Sequence, residues 1–315
     1  MPQQDSQPFR DLICRLLPGL TISEVARPSG QRIVYFGNFG DATAADRETW
    51  GEHAIDDWGD VVVKVSSGIS PEAITYLQRE IRILNGFDSN FYPTLHFDEV
   101  YSQDPASEEA LENRLFVTVE EFIQSEPLSA CQGNYANEAT IVDLLIRLIE
   151  ALRLLWDQKP PLIHRDIKPD NILIRANGTA VIIDLGIVRE EGTAGVTKTE
   201  WLFGPCTPRF SSPEQARNDK KNISFKSDVF ALGTLVHVLL TGTNPFQPGT
   251  GTPVVDVLSN VVNLVPVPLC DSHEVSQEFS ALVESMMQKE PYRRPRNPES
   301  LMESLVQIQE LNNDD

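Results

Sequence analysis

The chain has 315 residues, 41% of them hydrophobic, which is enough for one or two folded domains with complete apolar cores. Its formal net charge of −20 opposes binding to nucleic acid and to anionic membranes, and is typical of a soluble surface or of a protein with a basic substrate or partner. No apolar run is long enough to span a bilayer, the first residues lack a signal-peptide pattern, and the four cysteines have no metal-ligand spacing. We therefore expect reduced thiols and a cytoplasmic location.

The first 126 residues have the pattern of a helix followed by a small sheet. Apolar residues at helical spacing predict a helix over 8–17, and Pro18-Gly19 ends it. A second helix should begin at Ser70 and reach about Asn85. Strands are expected at 20–26, 32–39, 60–65, 94–101 and 115–123. Two acidic segments, 40–59 and 102–114, interrupt this pattern, and the sequence gives neither a role.

From residue 127 onward the periodicity becomes helical. Long amphipathic helices are predicted at 139–157, 226–241, 253–263, 275–288 and 298–311. The change of pattern predicts an α+β protein with a helical extension at 1–19, a strand-rich unit at 20–126 and a helical unit at 127–315.

The most informative segment lies within residues 127–315. Residues 164–171 are His-Arg-Asp-Ile-Lys-Pro-Asp-Asn, and Asp184-Leu185-Gly186 follows thirteen positions later. Together they supply a carboxylate that can orient a hydroxyl (Asp166), a cation beside it (Lys168) and two oxygen ligands for Mg²⁺ (Asn171 and Asp184). Transfer of a phosphoryl group depends mainly on positioning and on charge neutralisation, and these residue types provide both.

The two motifs, in this order and at this spacing, resemble the catalytic and metal-binding loops of the eukaryotic-like serine/threonine protein kinases, most closely the bacterial members. The resemblance covers about residues 20–311. It implies a two-lobed fold, with a small five-stranded antiparallel N-lobe carrying one helix and a larger helical C-lobe. It also implies ATP and Mg²⁺ as cofactors, phosphorylation of proteins, and autophosphorylation. By the same resemblance Asp166 and Lys168 are catalytic, Asn171 and Asp184 bind metal, and His164 is structural.

The resemblance extends to the nucleotide site. Lys64, in Val61-Val62-Val63-Lys64, matches the lysine that holds the α- and β-phosphates. Its expected partner is Glu80 in the following helix, with Glu72 as the alternative. The residues implied to contact the nucleotide are Gly30, Val34, Val62, Lys64, Glu121 and Leu173. Only Gly30 remains of the family's glycine-rich loop, which predicts weakened nucleotide binding.

Further matches are structural or regulatory. Residues 206–214 resemble the end of a kinase activation segment, in which Thr207 would contact the catalytic aspartate and Glu214 would pair with Arg294. Asp228 matches the helix aspartate that holds the catalytic loop. At the link between the lobes, either Glu120 or Val119 would guard the back of the nucleotide pocket. Phosphorylation is expected within 187–207, first at Thr199 and then at Thr197.

Two other functions are compatible with these patterns. A pseudokinase would bind nucleotide and partner proteins without chemistry, which the depleted glycine loop favours. A small-molecule kinase of related fold is disfavoured by Lys168 and by the peptide platform at 207–214. A separate regulatory protein partner is compatible with every reading.

Overall fold

The computed structural model describes residues 5–25, 32–67, 78, 81, 86–87, 90–184, 189–190 and 207–314. The chain divides into two compact units, Met1–Gln124 and Ser125–Asp315. Of the helix predicted to begin at Ser70, only residues 78 and 81 are described, and both are helical. No helix within the described ranges has the length and apolar content needed to cross a bilayer.

Unit 1 is built on a five-stranded sheet with neighbour order β1-β2-β3-β5-β4. All four strand pairs are antiparallel. The strands are β1 (Thr21–Val25), β2 (Arg32–Asn38), β3 (Asp60–Ser67), β4 (Leu95–Gln103) and β5 (Ala110–Glu121). The segment 102–114, which the sequence marked as an insertion, therefore contributes largely to the ends of β4 and β5.

Alternation along β3 gives the sheet two distinct faces. Val61, Val63 and Val65 are buried on one face, whereas Val62 and Lys64 lie on the other and are only half-buried. Residues directly opposite each other in an antiparallel pair have their side chains on the same face of the sheet. Lys64 lies opposite Val34 of β2 and Thr118 of β5, so these three side chains share the half-buried face.

The buried face of the sheet is covered by helix α1 (Gln7–Leu16). Its apolar stripe, including Phe9 and Ile13, joins the sheet valines in one hydrophobic core. The Tyr101 hydroxyl donates to the carbonyl of Leu16 at 3.0 Å, which satisfies an acceptor at the helix end. This helix is therefore an integral part of the core of unit 1.

The acidic segment 40–59 folds into a small structure of its own. Helix α2 (Ala44–Trp50) begins at a capping box in which Thr43 and Asp46 exchange hydrogen bonds. Trp50 and Trp58 then pack edge-to-face at 5.4 Å, and each also meets Phe39 at 5.4 Å. The insertion is thus anchored by aromatic rings.

Unit 2 is mainly helical. Its helices are α3 (Glu138–Trp156), α4 (Pro213–Ala216), α5 (Phe225–Thr241), α6 (Val254–Asn263), α7 (Gln277–Met286) and α8 (Pro298–Asp314). Its strands are β6 (Ser125–Pro127), β7 (Leu162–Ile163), β8 (Ile172–Arg175), β9 (Ala180–Ile182) and β10 (Arg189–Glu190), which form a β6-β8-β9 sheet and a β7-β10 pair. This arrangement confirms the predicted α+β class, with its small antiparallel sheet and its larger helical part.

Candidate active site

Asp228 organises the backbone of the segment that follows β7. It lies near the start of α5, is fully buried, and accepts from His164 N at 2.9 Å, Arg165 N at 2.7 Å and Trp156 Nε1 at 2.9 Å. Burial raises the pKa of Asp228, while these donors favour its charged form. The contacts confirm the predicted structural role of Asp228.

The loop that Asp228 holds contains an unusual backbone conformation. Arg165 has φ 73°, a left-handed value that side-chain-bearing residues rarely adopt. The two N–H groups bound by Asp228 and a hydrogen bond from Gln215 Nε2 to Arg165 O at 2.9 Å stabilise this turn. Gln215 is itself fixed by the capping box that it forms with Ser212 at the start of α4. Elements far apart in sequence thus fix the direction of the loop.

His164 supports the same loop from inside the core. The side chain is fully buried, and its Nδ1 accepts from Asp166 N at 3.3 Å. Burial lowers the pKa of His164, so the imidazole is neutral at neutral pH. These features match the structural role expected of it.

The carboxylate of Asp166 is the centre of a compact polar cluster. Its Oδ1 accepts from the Thr207 hydroxyl at 2.7 Å and from Thr207 N at 3.1 Å. Its Oδ2 accepts from Lys168 Nζ at 2.7 Å and from Asn171 Nδ2 at 3.0 Å. Lys168 Nζ also lies 2.9 Å from the Thr207 hydroxyl. The predicted contact between Thr207 and the aspartate is therefore confirmed.

Asn171 and Asp184 are linked through the backbone. Ile183 N donates to Asn171 O at 2.9 Å, and Asp184, the next residue, has φ 63°. Because the Asn171 amide nitrogen donates to Asp166, its amide oxygen is the atom suited to bind a cation. Within the described ranges no group of three or more His, Cys, Asp or Glu could hold a metal. Two hard oxygen ligands nevertheless suit Mg²⁺, which completes its shell with phosphate oxygens and water.

The segment after Thr207 is fixed by a buried ion pair. Arg294 donates to both carboxylate oxygens of Glu214, at 2.7 and 2.8 Å, and the Ser227 hydroxyl donates to Glu214 at 2.6 Å. The predicted Glu214–Arg294 pair is thus confirmed. It fixes the base of the segment that carries Thr207.

In unit 1 the ammonium group of Lys64 lies 2.6 Å from Glu120 Oε2, and the other oxygen of Glu120 accepts from the Thr118 hydroxyl at 3.2 Å. Val119, the other residue considered at this position, is completely buried on the opposite face. Both Glu80 and its alternative Glu72 lie outside the described residues, so the predicted Lys64–Glu80 pair stays a prediction.

The remaining predicted nucleotide contacts that the structure describes fall on four strands. Val34 and Val62 lie on the half-buried face that also carries Lys64. Leu173 is on β8, opposite Pro127 and Val181. Glu121 ends β5, and its side chain accepts from Thr94 N and Thr94 Oγ1 at 3.2 and 3.1 Å. Gly30 lies outside the described residues.

Two contributors to the site were missed or left open by sequence reasoning. Gln215 has no signal of its own, because its partner is a backbone carbonyl fifty positions away. Alternation places Glu120 on the same face as Thr118, but its pairing with Lys64 also depends on the register between β3 and β5, in which Thr118 lies opposite Lys64.

Comparison with known proteins agrees with this geometry. The family described as "Protein kinase domain" matches residues 60–306. Serine/threonine-protein kinase PknB of Mycobacterium tuberculosis is 36% identical over 150 residues, which cover 47% of this chain and 23% of that protein. PknB of Mycobacterium leprae is 34% identical over 149 residues, with 47% and 23% covered. PknA of Corynebacterium glutamicum is 30% identical over 179 residues, with 56% and 36% covered. The chain therefore spans well under two thirds of the length of these relatives.

Proposed function

The chain belongs to the protein kinase domain family, and from this premise we propose that it is a serine/threonine protein kinase. It would transfer the γ-phosphoryl group of ATP to protein hydroxyls, including its own. Relatives named serine/threonine-protein kinases support this activity. The main structural support for this activity is the Asp166 cluster. In it the Asp166 carboxylate lies beside Lys168 and accepts a hydrogen bond from the Thr207 hydroxyl.

The residues of the cluster, together with Lys64, suit different roles in phosphoryl transfer. Asp166 would accept the hydrogen bond of the attacking hydroxyl, align its oxygen with the γ-phosphorus and receive its proton as the new P–O bond forms. The bond between the γ-phosphorus and the β-γ bridging oxygen breaks, and ADP leaves. Lys168, 2.7 Å from Asp166, would neutralise charge on the transferring group. Lys64 would hold the α- and β-phosphates.

Asn171 and Asp184 are the residues that would hold the metal, which we propose to be Mg²⁺. When bound, the ion neutralises phosphate charge and orients the phosphate chain. The backbone bond between Ile183 and Asn171 supports this assignment, because it ties both ligands to one framework. The nucleotide itself would meet Gly30, Val34, Val62, Glu121 and Leu173, and Glu80 is the proposed second partner of Lys64.

The net charge and the cysteines of the chain bear on its partners and its location. The net charge of −20 supports basic protein substrates and argues against nucleic acid and membranes as partners. The described cysteines Cys14, Cys131 and Cys270 are free thiols, which supports a cytoplasmic location. We propose 1–19, 20–126 and 127–315 as helical extension, N-lobe and C-lobe, with the helix of the extension packed into the core of unit 1. The phosphorylation sites proposed within 187–207 lie outside the described residues.

One observation favours a second function. The pairing of Lys64 with Glu120 occupies the cation that phosphate needs, and the glycine-rich loop is depleted. A nucleotide-binding scaffold without turnover would tolerate both features. Such a protein would bind ATP without releasing ADP.

The deciding experiment is incubation of the purified chain with ATP and MgCl₂, with ADP release measured and phosphosites mapped by mass spectrometry. Asp166→Asn should abolish turnover and leave the circular dichroism spectrum unchanged. Asp170→Asn, at an exposed acid in the same loop, is the matched control and should remain active. Retention of full turnover by Asp166→Asn would refute the assignment. Nucleotide binding without ADP release in the unaltered chain would establish the scaffold function.

A further inference from the structure

Unit 1 contains a cavity that the proposed phosphoryl transfer does not explain. Of the residues that line it, only Glu121 has a proposed role in nucleotide binding. The cavity has a volume of about 490 Å³, within the range of small-ligand sites. Three carboxylates line it: Asp57 at the end of the 3₁₀ turn Ile55–Asp57, Asp60 at the start of β3 and Glu121 at the end of β5. Each belongs to a regular element, so their spacing is set by the fold.

The charge of this cavity is uniformly negative. No lysine or arginine lines it among the residues that the structure describes. Asp57 and Asp60 form no ion pair with any described residue, although Asp60 Oδ1 lies 3.4 Å from Asn38 Nδ2. Burial lowers the pKa of His96, which also lines the cavity, so this side chain adds no positive charge at neutral pH. Such a site repels phosphate groups and attracts a cation.

Aromatic rings form the rest of the wall. Trp58 stacks on His96 with ring centroids 5.1 Å apart and planes at 12°. The edge-to-face contacts of Trp58 with Trp50 and Phe39 fix its orientation. Phe122, also in the lining, leaves 39% of its surface exposed. Aromatic faces beside carboxylates are the environment in which a planar guanidinium is favoured over a compact, strongly hydrated ammonium.

The acceptors of the lining also match the donors of a guanidinium. A guanidinium carries five N–H donors, enough to donate to two carboxylates at once. A lysine has only three. His96 contributes its ring to the wall through the stack with Trp58, whereas its Nε2 is inaccessible to solvent and is not assigned a contact with the ligand.

We propose that the cavity bounded by Asp57, Trp58, Asp60, His96, Glu121 and Phe122 binds a guanidinium group, supplied by an arginine side chain in a basic segment of a partner protein. This site does not depend on phosphoryl transfer. It would recruit a basic partner through residues of unit 1 that are not part of the Asp166 cluster, and it gives the acidic insertion 40–59 a function.

The test uses the full chain labelled with 5-fluorotryptophan and without nucleotide, so failure of the kinase assignment leaves it unaffected. The four tryptophans give four ¹⁹F signals, and Trp58→Phe assigns the Trp58 signal. The probes are a capped pentapeptide with arginine at its centre, two variants of that peptide in which lysine or citrulline replaces the arginine, and N-acetyl-arginine amide. The arginine peptide should shift the Trp58 signal saturably and leave that of Trp156, buried in unit 2, in place.

Asp57→Asn/Asp60→Asn should raise the dissociation constant of the arginine peptide about tenfold or more, because two charge-assisted hydrogen bonds are weakened. Glu52→Gln, an exposed acid of the same insertion outside the cavity lining, is the matched control and should change it less than about twofold. Tighter binding of the peptide than of the arginine amide would support a protein partner. Equal affinities would support the guanidinium site but point to a small molecule.

Three results would overturn the proposal. They are an unchanged Trp58 signal at saturating concentrations of the peptide, equal binding of the citrulline peptide, and an equal loss of affinity in Glu52→Gln. The first would show that the cavity is not a ligand site. The second would show that charge is not recognised, and the third that the attraction is non-specific.

Discussion

Arg294 and Glu214 form a bidentate ion pair whose side chains are 0% and 3% exposed, with N–O distances of 2.7 and 2.8 Å. The guanidinium also donates to the carbonyls of Lys226, Gln288 and Lys289, so its charge is well compensated although no water reaches it. The pair joins the segment after Thr207 to the chain before α8. A buried pair of this kind is sensitive to the loss of either partner.

Arg294→Met should therefore lower the free energy of unfolding by about 3–5 kcal/mol, because Glu214 is left as a buried charge without a cation. Urea denaturation followed by circular dichroism measures the change. The control Arg293→Met alters an exposed neighbour and should shift the free energy by less than about 0.5 kcal/mol. Arg294→Met/Glu214→Leu should recover part of the loss, since no unpaired charge remains. Identical transitions of Arg294→Met and the control would contradict the expectation.

Lys64→Met should reduce kcat/KM for ATP by about 10²–10³-fold if Lys64 stabilises the phosphates, because removing one preorganised charge has effects of this size. Methionine keeps the apolar stem that lies along β3, so the melting temperature should change little. Steady-state ADP release gives the kinetic constants. Lys221→Met, at an exposed lysine, controls for the change in net charge. A loss confined to stability would make Lys64 a structural residue.

Glu120→Gln should improve the binding of ATP, in contrast to Lys64→Met, which should weaken catalysis with ATP. In the described structure the Lys64 ammonium lies 2.6 Å from Glu120, and the two side chains are partly exposed, at 16% and 18%, so phosphate must compete with a carboxylate for the ammonium. Removing that charge should lower the KM for ATP about fivefold, which corresponds to roughly 1 kcal/mol for a pair of this exposure. Glu112→Gln, an exposed acid of the same strand, is the control. A raised KM would instead mean that Glu120 positions Lys64 for the nucleotide.

The buried, neutral His164 predicts a pH dependence of stability. Its folded pKa lies below the ordinary value of 6.5, so below that pH the unfolded chain binds more protons than the folded chain. The contribution of the neutral His164 side chain to the unfolding free energy is complete above pH 6.5 and is lost as the pH falls towards the folded pKa. His164→Gln should reduce the slope of unfolding free energy against pH below pH 6.5, measured by urea denaturation at a series of pH values. An unchanged slope in His164→Gln would contradict the expectation.

The parts of the site that could be predicted from sequence are those with fixed residue types at fixed spacing. The contacts of Asp166 with Thr207, of Glu214 with Arg294 and of Asp228 with the catalytic loop all belong to this class. The pairing of Lys64 with Glu120 does not belong to this class, because it depends on the register between β3 and β5. The two residues lie 56 positions apart, and Glu120 occurs in no fixed motif. Secondary structure alone therefore could not assign it.

The insertion 40–59 shows a second limit. The capping pair Thr43 and Asp46 is visible in the sequence as a helix start, yet 40–59 is identified in the sequence analysis only as an acidic segment. Its stability comes from rings that meet only in three dimensions, since Trp50 contacts Phe39 and Phe97 at 5.4 and 4.9 Å. Such long-range packing leaves no local pattern to recognise.

Helix α1 has a practical consequence for preparing shortened versions of this protein. The family match begins at residue 60, but the core of unit 1 already includes Phe9, Ile13 and Leu17, the last two completely inaccessible to solvent. A fragment trimmed to the matched residues would lack α1, β1 and β2 and would expose the valine face of β3 along its whole length. Exposed apolar strands of this kind pair with other chains. Recombinant fragments should therefore start before Ser6, the residue that precedes the helix, if they are to remain monodisperse.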